Sequence, residues 1–181
     1  MASWSQIARR VRVPLGFGLA VLYFWLAQPT PGSIIAGGCV ALVGLMLRGI
    51  ASGHVTKNQQ LTMSGPYAYV RNPLYLGSLV LAAGFAVAAR SWVIVIAMAA
   101  IFQAVYLPVI RSEESFLRQQ FPGFEEYCRH VPRLLPRFTA FGKACGTFSR
   151  ELYWKHREYN AVLGAALMIA ALVAKMRWLS R

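Results

Sequence analysis

The sequence has little acidic charge and lacks the motifs of the common catalytic sites. Its 181 residues include 19 Lys or Arg and six Glu, and there is no Asp. It contains no Ser/His/Asp or Cys/His arrangement, no HExxH zinc motif, no P-loop and no GxGxxG motif after a strand. If the protein is an enzyme, its reaction must need little from side-chain acids and bases. Alkyl transfer from an activated donor meets this condition, because the protein then mainly supplies proximity and alignment.

Cysteine is also scarce. Cys39 lies in an apolar stretch, Cys128 and Cys145 lie in a basic stretch, and none of the three belongs to a CxxC or Cys/His pattern. A disulfide framework needs paired cysteines, and a structural zinc site needs closely spaced Cys or His ligands. We therefore predict neither disulfide chemistry nor a metal site.

Charged residues are few, at 14% of the chain, whereas 57% of the residues are hydrophobic. This composition is too apolar for an ordinary soluble domain, and several apolar runs approach membrane-spanning length. We predict an all-α integral membrane bundle of about five transmembrane helices. The predicted spans are Pro14–Ala27, Ser33–Leu47, Leu74–Ala89, Trp92–Ile110 and Asn160–Ala174.

The first span resembles a secretory signal peptide in one respect, because Arg9, Arg10 and Arg12 precede it. A signal peptide should end in a small-residue cleavage site, whereas this run is followed by Gln-Pro-Thr-Pro. We interpret it as an uncleaved first helix.

The net charge of +13 would suit nucleic acid or an anionic membrane surface. Because the basic residues flank apolar runs, we predict membrane lipids as partners and no nucleic acid. The positive-inside rule places the N-terminus, residues 48–73 and residues 111–157 in the cytoplasm. Lys175, Arg177 and Arg181 oppose this topology, so the last apolar segment either spans the membrane or lies at its interface.

Two polar clusters lie at the ends of neighbouring spans. Residues 65–75 read GPYAYVRNPLY and precede the third span, while residues 111–114 read RSEE and follow the fourth. Only Arg90 and Ser91 join these spans, so the spans should form an antiparallel hairpin. The hairpin brings both clusters to one membrane face, where we predict a ligand site.

The first cluster also has a purely structural interpretation. Asn72 and Pro73 would start a helix in any protein, because Asn is a favoured N-cap and Pro a favoured first helical residue. Tyr67, Tyr69 and Tyr75 could likewise form an aromatic belt at the membrane surface.

The second cluster has two interpretations as well. Glu113 or Glu114 could form an ion pair with Arg111 or Arg118. Alternatively, one carboxylate accepts hydrogen bonds from ligand hydroxyl or ammonium groups, which are strong where water is partly excluded.

Residues 113–136 are amphipathic and form no span. Because Pro122 and Gly123 interrupt the pattern, we predict a helix, a turn and a short helix over the cytoplasmic mouth of the bundle. The proline-containing segment 131–136 would then fold back as a lid. The apolar face consists of Leu117, Phe121, Phe124, Cys128 and Val131.

These motifs together resemble a known superfamily. GPYAYVRNPLYLG at residues 65–77 is followed in order by Glu113, Glu114, Leu117, Phe121, Tyr127, Val131, Pro132, Arg133 and Pro136. Over about residues 60–137, this pattern resembles the isoprenylcysteine carboxyl methyltransferases and phospholipid methyltransferases. The resemblance implies an integral-membrane enzyme that uses S-adenosylmethionine on the cytoplasmic side and a lipophilic substrate from the bilayer.

The resemblance also implies a division of the chain and roles for single residues. Residues 1–64 would form an N-terminal two-span region, 65–137 the catalytic hairpin and cofactor segment, and 138–181 an amphipathic linker with the last helix. Three catalytic residues are implied: Glu114, Arg71 and Arg111. The two arginines would orient an anionic part of the substrate. The implied cofactor-binding residues are Tyr69, Asn72, Pro73, Tyr75, Leu76, Gly77, Glu113, Glu114, Tyr127, His130, Val131, Pro132 and Arg133.

One position separates the branches of this superfamily. Carboxyl methyltransferases usually have His where this chain has Asn72, whereas the phospholipid enzymes have Asn-Pro. Asn forms hydrogen bonds but does not titrate, so we expect no acid–base role at position 72. An isoprenylcysteine-type carboxylate, a lipid amine and a thiol stay open as substrates. Two other functions also stay open: a reductase that binds NADPH, as similar membrane sterol reductases do, and a membrane scaffold or assembly factor whose polar clusters are anchors.

Overall fold

The computed structural model describes residues 4–56, 60–142 and 146–179. Cys145 and Arg181 are not among these residues, and the structure does not describe the side chains of Arg9, Arg10 and Arg12. The regular structure of the described residues is helical, as predicted. The helices are α1 (Trp4–Leu26), α2 (Pro31–Ser52), α3 (Pro73–Ala89), α4 (Trp92–Ile101), α5 (Leu107–Gln120), α6 (Phe124–His130), α7 (Arg150–Lys155) and α8 (Tyr159–Leu179), with a 3-10 turn at Gly65–Ala68 and a π-helical segment at Phe102–Tyr106.

Each predicted span corresponds to a helix. Among the described residues, three helices are long and apolar enough to cross a membrane: Pro31–Ser52, Trp92–Gln120 and Tyr159–Trp178. Two apolar helices are shorter, Pro14–Leu26 and the 17-residue Pro73–Ala89. At 1.5 Å per residue, α3 measures about 26 Å, somewhat less than a ~30 Å hydrocarbon core. Three membrane-length helices are thus present by length and composition, and a crossing by all five stays a prediction.

Helices α2 and α3 pack at very close range through glycines. Helix α2 begins in a capping box, in which Thr30 and Ser33 accept hydrogen bonds from each other's backbone N–H groups. A Cβ atom at Gly37 or Gly44 would come within 2.4 or 2.5 Å of backbone atoms of α3, and one at Gly84 would come within 2.5 Å of α2. The small residues of the second span therefore allow close helix packing, as predicted.

A single methyl group at this contact should destabilise the protein. Gly44→Ala should cost about 1–3 kcal/mol, the usual range for overpacked sites, because its Cβ would meet the backbone nitrogen of Leu81 at 2.5 Å. Gly38→Ala is the matched control, since a Cβ at Gly38 has nothing within 4 Å. Thermal unfolding in detergent, followed by circular dichroism, measures both variants. Equal melting temperatures would contradict the close approach.

The link between α3 and α4 is the two-residue turn predicted from the sequence. Arg90 has a left-handed backbone conformation with φ of 52°, and its N–H bonds to Ala86 O at the end of α3. The main packing partner of α3 is nevertheless α2, rather than the other arm of the hairpin. The far ends of the two arms meet, because the amide of Asn72 lies 3.1 Å from the carboxylate of Glu114. The two polar clusters therefore converge as the hairpin predicts.

The fourth helix extends well beyond its predicted end at Ile110. Helix α4, the π-helical segment and α5 form one continuous helix, Trp92–Gln120. The π-helical segment ends at Tyr106, two residues before Pro108, which has no backbone N–H and crowds the preceding turn. A wider turn lets the helix pass the proline without a break. Glu113 and Glu114 consequently belong to a helix that continues from the apolar span. The helix, turn and short helix predicted for residues 113–136 are present as the end of this helix, the turn after Gln120 and α6.

The segment after this helix covers one end of the bundle. A turn leads into α6, and all five residues of the predicted apolar face pack into one cluster with Tyr127, Leu61 and Phe141. Residues 132–141 then fold back onto residues 68–71. Three backbone hydrogen bonds hold them there, from Arg71 N–H to Pro132 O, from Arg137 N–H to Tyr69 O and from Phe141 N–H to Ala68 O. The proline-containing segment thus takes the folded-back path that was predicted for a lid.

Residues 146–158, part of the predicted linker whose path the sequence left open, return along the end of α2. The backbone N–H of Ser149 donates to Gly53 O, and its side chain caps α7. His156 Nδ1 lies 3.1 Å from Ser52 O. At the other end of the bundle, α1, α2, α3, α4 and α8 meet in an apolar core made of Tyr23, Ala27, Ile34, Ala88, Ala89, Ile94 and Leu172.

Candidate functional site

A cavity of about 890 Å³ lies where the two polar clusters meet. Its volume falls inside the roughly 300–1,000 Å³ range of small-molecule sites. The walls come from α2, the 3-10 turn, α3, the Trp92–Gln120 helix, α6 and the segment before α8. The charged lining residues are Arg48, Arg71, Glu113, Glu114 and Glu158, and the aromatic ones are Tyr67, Tyr75, Tyr106, Phe116, Phe124 and Tyr127.

Glu114 is the centre of the polar contacts at one end of the cavity. The residue is 4% exposed. Its carboxylate accepts hydrogen bonds from the Arg133 guanidinium at 2.7–3.1 Å and from the Asn72 amide at 3.1 Å. Arg71 Nη2 lies 3.6 Å from Glu114 Oε1. The hydrogen bond with Glu114 raises the pKa of Arg133, because it favours the charged guanidinium. Two cations thus compensate the buried carboxylate.

Asn72 occupies the N-cap position of α3 but does not cap the helix with its side chain. The Asn72 Nδ2 group donates instead to Glu114 Oε1 at 3.1 Å and to Arg133 O at 3.2 Å. The amide therefore joins the start of α3, the Trp92–Gln120 helix and the folded-back segment. A helix start alone would not need these long-range contacts, so the purely structural interpretation of Asn72 does not account for its side chain.

Tyrosines form much of the cavity wall. The Tyr75 hydroxyl donates to Glu113 Oε1 at 3.0 Å, and its ring meets Tyr106 edge-on with centroids 6.1 Å apart. The Tyr127 hydroxyl donates to Tyr67 O at 2.7 Å. Burial raises the pKa of both Tyr67 and Tyr127, so both phenols are neutral at physiological pH.

The other end of the cavity holds polar residues that the sequence reasoning missed. The Arg48 guanidinium binds both carboxylate oxygens of Glu158 at 2.9–3.1 Å and also donates to the Ser78 hydroxyl. His156 lines the cavity beside them. The position of Arg48 in the sequence could have indicated its role, because an arginine near the end of an apolar helix often faces the interior of a bundle. Its partner was not evident, since Glu158 is 110 residues away in sequence.

Acidic charge is concentrated around this cavity. Glu113, Glu114 and Glu158 are three of the six acidic residues of the chain. Arg48 and Arg71 line the cavity with them, and Arg133 binds Glu114. Three carboxylates against three guanidinium groups make the site nearly neutral in a chain of net charge +13. A cationic or zwitterionic ligand would therefore meet little repulsion here.

Several residues implied by the resemblance do not line the cavity. Arg111 and Tyr69 are exposed, and the His130 ring stacks on Phe141 with centroids 4.8 Å apart. Gly77 packs against α2, where a Cβ would meet Arg48 Cγ at 2.7 Å. Arg133 contacts Glu114 without lining the cavity itself. Four more implied residues are not part of the lining: Pro73, Leu76, Val131 and Pro132. The implied residues that do line the cavity are Arg71, Asn72, Tyr75, Glu113, Glu114 and Tyr127.

The alternative ion pairs of the second cluster are not formed among the described residues. Arg118 pairs with Glu125 on the surface, where both side chains are more than half exposed. Glu114 pairs across the fold instead, with Arg71 and Arg133.

Residues 36–123 match the model of one protein family. It is the phospholipid methyltransferase family. The resemblance inferred from the sequence is thereby confirmed over this segment. The phospholipid methyltransferase match includes Arg48, Asn72 and Glu114, whereas Arg133, His156 and Glu158 lie beyond it.

Two curated proteins are similar to part of the chain. The cobalt-zinc-cadmium resistance protein CzcN of Cupriavidus metallidurans is 38% identical over 85 residues, which are 47% of this chain and 39% of that protein. The nickel-cobalt-cadmium resistance protein NccN of Alcaligenes xylosoxydans xylosoxydans is 33% identical over 102 residues, 53% of this chain and 48% of that protein. The matched segment thus spans less than half the length of each relative. No solved structure matches the chain.

Proposed function

We propose that the protein is a membrane methyltransferase that moves a methyl group from S-adenosylmethionine to a lipophilic acceptor by direct in-line transfer. The observation that carries the proposal is the buried Glu114, held by Asn72, Arg71 and Arg133 at the wall of the cavity. This carboxylate lies inside the segment that matches the phospholipid methyltransferase family.

The cavity residues fit this donor. S-adenosylmethionine supplies a methyl group that is already activated by a positively charged sulphur. The nearly neutral lining admits that charge, and aromatic rings such as those of Tyr75 and Tyr106 attract cations. Arg71 Nε is buried without a hydrogen-bond partner among the described residues. Its guanidinium therefore has unused capacity toward an anionic group of a ligand.

The chain's own residues would bind and orient the reactants. Glu114 offers a buried acceptor for ammonium or hydroxyl groups, and Asn72 keeps that carboxylate against the folded-back segment. Residues 132–141 fold back onto residues 68–71, and Arg133 of this segment binds Glu114. With reaction groups aligned in this way, proximity supplies most of the rate acceleration.

The membrane arrangement belongs to the same proposal. Five helices would cross the bilayer, with the cavity at the cytoplasmic face, where the positive-inside rule places both polar clusters. The acceptor would enter from the lipid, between helices. An isoprenylcysteine-type carboxylate, a lipid amine or a thiol would each suit a lipophilic acceptor.

Titration calorimetry of the purified protein in detergent tests the proposal. We expect S-adenosylhomocysteine, the product form of the donor, to bind with one site per chain and NADPH not to bind. Binding of NADPH in its place would favour the reductase. Binding of neither ligand would favour a scaffold or assembly factor and would contradict the proposal.

A further inference from the structure

The polar group formed by Arg48, Ser78, Glu158 and His156 has no part in the contacts around Glu114. Ser78 follows Asn72 by six residues on α3, which corresponds to about 9 Å at 1.5 Å per residue. The two groups line the same cavity. A cavity with two separate polar ends suits two reactants that meet between them.

The charged residues at this second end already have partners. Both oxygens of Glu158 bind Arg48, and Arg48 also contacts Ser78 and the carbonyl of Leu74. Neither side chain is therefore well placed to remove a proton from a ligand. His156 is the imidazole among the described lining residues, and none of the contacts around Glu114 involves it.

The hydrogen bond of His156 defines which ring nitrogen is available. Nδ1 lies 3.1 Å from the carbonyl oxygen of Ser52. A carbonyl only accepts, so Nδ1 carries the proton and donates. In the neutral ring, the lone pair is then on Nε2. Nε2 has no hydrogen-bond partner in the part of the chain that the structure describes.

The carbonyl that orients the ring is itself well fixed. Ser52 is fully buried at the end of α2, and its hydroxyl donates to Gly49 O at 2.8 Å. A base whose second nitrogen is held by a rigid acceptor keeps both its tautomer and its ring orientation. His156 and the carbonyl of Ser52 thus form the arrangement of a general base, and the two residues meet only in the folded protein.

We infer that His156 Nε2 is the catalytic base of the proposed methyl transfer, and that the acceptor is a lipophilic amine or thiol. This inference rests on the proposed function. The acceptor's lone pair forms the bond to the methyl carbon while the carbon–sulphur bond of the donor breaks and leaves its electron pair on sulphur. The proton of the amine or thiol passes to His156 Nε2. A carboxylate acceptor is already ionised at neutral pH and needs no such base.

The substitution His156→Asn separates the base from its structural contact. The Asn side-chain amide can still donate to Ser52 O, but it cannot accept a proton from the acceptor. His54→Asn is the matched control, because His54 Nδ1 also bonds to a backbone carbonyl, that of Ile50, and His54 does not line the cavity. Transfer of radiolabelled methyl groups to dodecylamine, dodecanethiol and dodecanoate in detergent provides the acceptor test.

We expect the wild-type protein to methylate the amine or the thiol in preference to dodecanoate. His156→Asn should lower kcat for that acceptor by about 10²–10⁴-fold, the usual effect of a general base, while the affinity for S-adenosylhomocysteine stays within twofold of wild type. His54→Asn should leave both unchanged. Independently of activity, ¹⁵N-histidine NMR should show His156 with the proton on Nδ1, assigned by loss of the signal in His156→Asn.

The inference is overturned by a His156→Asn variant with wild-type kcat, by a signal with the proton on Nε2, or by wild-type protein that methylates dodecanoate alone or none of the three probes. These results differ from a failure of the proposed function, in which the wild-type protein would not bind S-adenosylhomocysteine at all.

Discussion

Replacing Glu114 by Gln should lower the affinity for S-adenosylhomocysteine about 10- to 100-fold. Hydrogen bonds to charged groups are worth about 1.5–3 kcal/mol, and every 1.4 kcal/mol is a factor of ten in affinity. Glu114 is expected to have an effect near the top of this range because it is buried and also positions Asn72 and Arg133. Titration calorimetry at a temperature well below the melting point measures the change.

The matched control for this substitution is Glu125→Gln. Glu125 belongs to a surface ion pair with Arg118 and does not line the cavity. Both variants remove one negative charge from the same region of the chain, so an effect of net charge alone would appear in both. Wild-type affinity in Glu114→Gln, with circular dichroism that shows intact helices, would remove Glu114 from the binding site.

Replacing Arg48 by Met should destabilise the folded protein by about 3 kcal/mol. Breaking a buried ion pair typically costs about 3–5 kcal/mol, because the remaining charge loses its partner, and the cavity lets some water reach it. The side chains of Arg48 and Glu158 are 23% and 10% exposed. Arg48 also joins α2 to α3 and to the start of α8, through Ser78 and Glu158. Unfolding by denaturant in detergent measures the loss.

Two further variants test the reason for this loss. Arg118→Met breaks the surface pair with Glu125, whose side chains are 51% and 56% exposed, and should cost at most about 1 kcal/mol. Adding Glu158→Gln to Arg48→Met should recover part of the stability, because the unpaired charge is then gone. An equal loss in Arg48→Met and Arg118→Met, or a double variant less stable than Arg48→Met alone, would show that the pair is not the cause.

Much of the site near Glu114 could be predicted from the sequence. The two-residue link at Arg90 and Ser91 is so short that the chain must reverse direction there. The polar clusters at the far ends of the two spans therefore lie at the same end of the bundle. The resemblance then pointed to Asn72 and Glu114, which lie in contact. The same resemblance also named Arg111 and His130, which are exposed in the structure. A motif in sequence does not say which side of a helix faces the cavity.

The other half of the site could not be predicted in this way. Arg48 and Glu158 stand outside any motif, and a basic residue at the end of an apolar helix is also what membrane topology requires. His156 lies in a polar, loop-like stretch and belongs to no recognisable motif. Its proposed role depends on the hydrogen bond to the backbone carbonyl of Ser52. Every residue has such a carbonyl, so the sequence cannot indicate which one His156 contacts.

The sequence by itself determined the helices, their ends at prolines and short polar links, and the apolar face of residues 117–131. These features follow from local geometry, since the length of an apolar run and the period of its pattern act over a few turns. The tertiary structure alone decided which polar side chains share one cavity. That choice depends on the close glycine packing of α2 on α3 and on the return of residues 146–158 to α2. Contacts between residues about 100 positions apart arise only when the whole bundle is assembled.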